Sequence, residues 1–114
     1  MQRYLVLIYE IVLFEVKFFA VTYDLRQPDR KYDELYNSIK SIAGEGHWQH
    51  PMESYWVIAF SELSYYNAEN LYQEFRKQID DNDSLIVEKI DVADQQGWMP
   101  KSFWNWINEK RERL

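Results

Sequence analysis

The chain has no cysteine among its 114 residues, and only three glycines and three prolines. Without cysteine there is no disulfide framework, no thiolate metal site and no cysteine nucleophile. That is compatible with a reducing compartment, and a cytoplasmic location is the expectation. The sequence also lacks a glycine-rich phosphate loop and a serine-nucleophile elbow, so nucleotide-hydrolase and serine-hydrolase chemistry have nothing to stand on. Positive charge is in deficit too: 13 Lys and Arg against 19 Asp and Glu give a formal net charge of −6. An acidic domain has no global field to draw it onto nucleic acid. Such contact would need a local basic patch, a bridging divalent cation, or a partner that brings the positive charge. Arg26, Arg30 and Lys31 form one candidate patch, and Lys101, Lys110, Arg111 and Arg113 form another. Each also reads as ordinary solvated surface charge.

An uninterrupted apolar run of membrane length is missing as well. Tyr4 to Tyr23 comes nearest, but Glu10, Glu15 and Lys17 break it, and charges near a bilayer centre are expensive. Glu10 also breaks the apolar core that a signal peptide needs, and no small-residue cleavage site follows. No membrane association is expected. Leu5 to Phe14 reads as an extra strand or an irregular extension, so residues 1–17 are assigned to an N-terminal extension and 18–114 to one domain. The size fits a single domain. What is abundant is core material: 46% of residues are hydrophobic and 18% aromatic, a composition opposite to that of disordered chains.

Periodicity then orders the elements. Val16 to Tyr23 is β-branched and aromatic and ends at Asp24; Phe18 to Tyr23 reads as a buried first core strand. Pro28 marks a turn. Asp29 can cap a helix in which Tyr32, Leu35, Tyr36, Ile39 and Ile42 recur at helical spacing, stopped by Gly44 and Gly46. His47 to His50 is a short strand candidate, with a turn over Pro51 to Glu53. Tyr55 to Phe60 is the clearest central strand, and the short connection suggests a hairpin. Asn67 can cap a second amphipathic helix through Ala68, Leu71, Tyr72, Phe75 and Ile79. Asp80 to Asp83 is a turn cluster, and Leu85 to Ile90 a fourth strand. After a loop from Asp91 to Gly97, Pro100 opens a last helix carrying Phe103, Trp104 and Ile107. Strand, helix, hairpin, helix, strand is the split βαβ order, which predicts an α+β, ferredoxin-like βαββαβ sandwich.

Five stretches carry a resemblance to a family: Phe19-Ala-Val-Thr-Tyr-Asp-Leu25, Tyr32-Asp-Glu-Leu-Tyr-Asn-Ser-Ile39, Met52-Glu-Ser-Tyr-Trp-Val-Ile58, Asp81-Asn-Asp-Ser-Leu-Ile-Val-Glu88 and Gly97-Trp-Met-Pro-Lys-Ser-Phe-Trp104. Together they resemble the SinR-like family proteins over residues 18–108, with residues 1–17 outside the match. That group is similar in fold to the small ferredoxin-like nucleases of CRISPR spacer acquisition and to the virulence-associated protein D ribonucleases. The resemblance implies a homodimer in which two aspartates at the position of Asp24 hold Mg2+. It implies RNA or DNA as substrate, with Tyr23, Arg26, Arg30 and Lys31 placed to contact phosphate. It also implies the other role such folds fill, a non-catalytic adaptor or antitoxin with a protein partner in a defence or mobile-element system. The acidic balance and the N-terminal extension depart from the CRISPR-associated pattern. Both roles call for a dimer, since an edge strand and surplus aromatic surface need covering.

Each candidate has a plainer alternative. Asp24 could cap a turn instead of holding a cation; a hard cation wants several oxygen ligands, which one carboxylate does not supply. His47 and His50 are three apart, so on a strand they point to opposite faces and do not share a metal. A general-base role for either rests on residue type alone. Asp80, Asp81 and Asp83 lack the glycine and terminal glutamate of a calcium loop and read as a turn. Trp56 is expected in the core. Trp98, Trp104 and Trp106 could stack on bases, but packing of the last helix against the domain or a second subunit explains them as well.

Overall fold

The computed structural model describes residues 15–26 and 32–112. The expected N-terminal extra strand, the cap at Asp29, the turn at Pro28, and Arg30, Lys31 and Arg113 lie outside the described residues. Within them the element order is β1 (Val16–Asp24), α1 (Tyr32–Ala43), β2 (Trp48–Met52), β3 (Tyr55–Ser61), α2 (Ala68–Arg76), β4 (Ser84–Ile90), a short 3-10 turn (Val92–Asp94) and α3 (Lys101–Glu112). The four strands form one sheet in the order β2-β3-β1-β4, every neighbouring pair antiparallel. This is the ferredoxin-like α+β arrangement, with a C-terminal helix added.

The strands alternate, and each face therefore collects its own core. Phe19, Val21 and Tyr23 of β1 and Trp56, Ile58 and Phe60 of β3 point to one face, where Leu35 and Ile39 of α1 and Leu71 and Phe75 of α2 close over them. The opposite face receives Phe18 from β1 and Val57 and Ala59 from β3, covered by Phe103, Trp106 and Ile107 of α3. Because both sides of β1 and β3 are buried, these strands read as continuous apolar runs rather than alternating ones.

Local chemistry sets the boundaries. Gly44 and Gly46 end α1 with φ of +92° and +82°, a region that favours residues without a Cβ. Asn67 caps α2 in a reciprocal pair: its side chain accepts from the Asn70 N–H at 2.9 Å, and the Asn70 side chain accepts from the Asn67 N–H at 2.7 Å. Ile79, expected on α2, lies past its end but still reaches the core. The hairpin differs in register from expectation. Pro51 sits inside β2 and the turn falls at Glu53–Ser54, with the ladder irregular between Gln49 and Met52. An edge strand tolerates proline because its outward N–H has no ladder partner to lose.

The third helix is anchored at one point by a polar bond: the Trp106 indole donates to the Gly46 carbonyl at 2.8 Å. It covers only part of its face. Thr22, paired with Tyr55 and with Ile86, lies on the same side beyond the helix, and Thr22 and Ile86 are exposed. Among the described residues no helix is long and apolar enough to cross a membrane.

Candidate functional site

Asp24 is the last residue of β1 and pairs with Ser84 of β4. It falls on the same face as Thr22, opposite the one that α1 and α2 cover, and its carboxylate is 71% exposed with the Arg26 guanidinium 3.8 Å away. Among the described residues the Arg26 N–H goes to another aspartate, and the turn around Pro28 that Asp24 could cap lies outside them. Asp83 accepts the Arg26 N–H on one oxygen and the Asp80 N–H on the other, both at 2.8 Å. The Asp80–Asp83 segment is thus a turn, as its sequence suggests, and Asp81 pairs with Arg76 at 2.8 Å. Asp24 projects at a strand end, and among the described residues it has one loose, exposed ion pair of a kind that contributes little to stability.

Tyr23 points the other way. It is 5% exposed; its hydroxyl donates to the Glu53 carbonyl at 2.7 Å and accepts from the Trp56 indole at 2.9 Å. Burial first, and then hydrogen bonding with Tyr36, push this hydroxyl far above the ordinary tyrosine pKa. Tyr23 therefore sits in the interior rather than on a phosphate-facing surface, because strand alternation sends it to the face opposite Asp24. Arg26 does lie beside Asp24, and its exposed guanidinium is free to turn outward.

Around Tyr23 the fold assembles a polar and aromatic knot that the linear sequence does not announce. The Glu53 carbonyl receives Tyr23, the Tyr36 hydroxyl at 3.4 Å and His50 Nε2 at 2.9 Å. Since a carbonyl only accepts, Nε2 of His50 carries the proton, and Nδ1 is the acceptor in the neutral ring. The His50 ring stacks on Trp56 at 4.0 Å and meets Tyr36 edge-on at 4.9 Å. This knot ties the hairpin turn to α1 and to β1. Tyr32 stands beside it, its pKa raised by partial desolvation and by the negative charges of Glu53, Asp83 and Asp24 among others. Among the described residues those carboxylates outnumber Arg26 at this end of the sheet, and their field repels phosphate unless a cation intervenes.

The two histidines part company as strand geometry requires. His47 precedes β2, and its pKa is lowered, by desolvation first and then by Lys110 of α3; its Nδ1 is buried and has no hydrogen-bond partner among the described residues. Among the described residues no group of three or more His, Asp or Glu is placed to hold a metal ion. At this strand end the exposed carboxylate of Asp24 is the one called on for Mg2+, since Asp83 is committed to the backbone.

The tryptophans divide three ways. Trp56 is wholly buried and Trp106 nearly so, while Trp98 is fully exposed. Trp98 borders a groove of about 490 Å³ between the β2–β3 hairpin and the start of α3, which Met52, Tyr55, Met99, Phe103 and Trp104 also line. Aromatic abundance signalled surplus surface, but only the folded chain shows where it collects.

No protein-family model, no curated protein and no solved structure matches the chain.

Proposed function

We propose that this protein is a small homodimeric interaction module, an adaptor or antitoxin of the kind used in bacterial defence or mobile-element systems, without strong catalysis. The observation that carries this reading is the contrast between the two sheet edges. The β2 edge is blunted by Pro51 and a ladder irregularity. The β4 edge, Ser-Leu-Ile-Val-Glu-Lys-Ile, has neither, and among the described residues no strand pairs with its outer side. A strand of this composition with an open row of N–H and C=O groups is a template for another strand.

Two copies pairing β4 to β4 about Val87 would engage all seven residues. Ile86 would then face Glu88 of the partner subunit, and Leu85 would face Lys89 of the partner subunit. No like charges meet in that register, whereas a pair centred on Glu88 would set the two Glu88 carboxylates opposite each other. The continuous eight-stranded sheet would leave both ends of each domain free for a protein partner.

A second reading has its own support in the exposed carboxylate of Asp24, paired only loosely with Arg26 among the described residues: a Mg2+-dependent endonuclease acting on RNA or DNA, the metal held between Asp24 of each subunit. When bound, the cation would polarise a phosphate or activate water, and Arg26 would steady the phosphate beside it. This reading needs a dimer through the Asp24 face. In the edge-to-edge dimer the two Asp24 residues stand roughly 25 Å apart, counting strand spacing and rise per residue.

The test has two arms. Sedimentation of wild type and Ile86→Glu should show a dimer that the substitution disperses, since the new carboxylate would stand directly opposite Glu88 of the partner subunit. Incubation with labelled RNA and DNA, with and without Mg2+, should show no cleavage. Mg2+-dependent cleavage lost in Asp24→Ala would establish the second reading instead.

A further inference from the structure

The groove beside Trp98 has no part in the edge-to-edge dimer and lies on the same sheet face as Asp24. Its walls combine two properties that seldom share one surface. Trp98 and Trp104, Tyr55 and Met99 give it π faces and a polarisable sulfur, whereas Asp94 contributes a carboxylate and no lysine or arginine lines it among the described residues. Farther along the same face Glu88 acts on the Tyr55 hydroxyl and, after burial, helps raise its pKa. The surrounding field is therefore negative, in a chain whose net charge is already −6.

We propose that this groove binds an arginine side chain presented by an extended segment of a protein partner. A guanidinium is planar and weakly hydrated; it lies flat on indole and phenol rings while its edge donates to a carboxylate. An ammonium is a point charge that keeps its water and gains less from the rings. A purely apolar occupant would leave Asp94 unsolvated without a partner, and a nucleic-acid strand would bring phosphate into a negative field. A second copy of this acidic face would add carboxylate to carboxylate. The volume, about 490 Å³, exceeds one side chain and accommodates the residues on either side of it, which points to a peptide rather than a free amino acid.

The loop passes the Trp104 ring at Gly97 with room for a Cβ, which would meet the ring at 3.7 Å, and the next residue, Trp98, projects into solvent. Trp104 is in turn braced edge-on by Phe103, with ring centroids 5.1 Å apart. The Trp98 indole is fully exposed and buries no surface on folding, and tryptophan is enriched among the anchors of protein contacts.

The experiment titrates the full chain with three capped peptides of one design, Gly-rich with two central Arg, two Lys or two citrulline residues, following tryptophan fluorescence and heat. The expected result is saturable binding of the arginine peptide, about tenfold weaker binding of the lysine peptide, and none of the neutral citrulline isostere. Trp98→Ala and Asp94→Asn should each weaken the arginine peptide by about fivefold to tenfold while leaving far-UV circular dichroism unchanged, as both side chains are exposed. Equal affinity for arginine and lysine peptides would reduce the effect to net charge and overturn the proposal. So would binding of citrulline, binding unaffected by Trp98→Ala, or a single-stranded oligonucleotide that displaces the peptide from the groove.

Discussion

The two faces of this sheet draw on the same central strands and are finished differently. Alternate residues of β1 and β3 supply both. On one side two amphipathic helices meet over Phe19, Val21, Trp56 and Ile58, and the layer closes. On the other a single helix, reached through a loop after β4, covers Phe18, Val57 and Ala59 and leaves Thr22, Ile86 and the hairpin end uncovered. A closed face stabilises a fold. An unfinished one leaves apolar and aromatic groups in water, as Met52, Ile86 and Trp98 are, and contiguous exposure of that kind marks surfaces that meet something else.

The contrast can be broken by truncating one residue on each side. Trp56→Ala should have the largest effect, about 5 kcal/mol in denaturant unfolding. It removes a wholly buried ring, the stacking partner of His50 and the donor to Tyr23. Phe103→Ala, on the half-finished face, should cost about 3 kcal/mol, because α3 and its neighbouring groove can partly collapse into the space. Equal losses would mean that the second face is as tightly closed as the first.

Acid should act chiefly on the α3 side. The pKa of His47 is depressed below its ordinary 6.5 in the folded chain. Above about pH 6.5 the ring is neutral in folded and unfolded states alike, and its contribution is intact. As pH falls through that value the unfolded chain takes the proton first, and stability is lost down to the folded pKa. Unfolding midpoints followed from neutral to mildly acidic pH should decline in wild type and decline less in His47→Gln. An unchanged slope would remove His47 from the explanation. The smallest effect is expected at the opposite end of the sheet: Asp24→Asn should shift stability by less than about 0.5 kcal/mol, its carboxylate being exposed and weakly paired. A larger loss would give Asp24 a structural duty that its surroundings do not suggest.

The order of elements was legible because both helices over the closed face follow the helical repeat, both central strands are short continuous apolar runs, and the caps at Asn67 and Gly44 are local signals. The turn was misplaced by about two residues: Pro51 reads as a breaker, and only the sheet order shows that it lies on an edge where its missing N–H is harmless. Asp24 at a strand end was legible; which aspartate caps the neighbouring turn was not, since Asp83 is 57 residues from the Arg26 N–H it accepts. The same holds for the Glu53 carbonyl, which gathers Tyr23, Tyr36 and His50 from three separate elements. Contacts distant in sequence leave no periodic trace. Nor does exposure: Trp98, Trp104 and Trp106 sit close together in the chain and meet different environments because the loop and the turn of α3 aim them apart.

The open edge of β4 carries the functional reading, and amide hydrogen exchange of β4 at rising protein concentration tests it most directly. The account predicts that the β4 amides not bonded to β1 exchange rapidly in dilute solution and slow markedly as the chain associates, while those of β2 stay unchanged. If the β4 amides keep the same rates across the concentration range, the edge is not an interface and the account is contradicted.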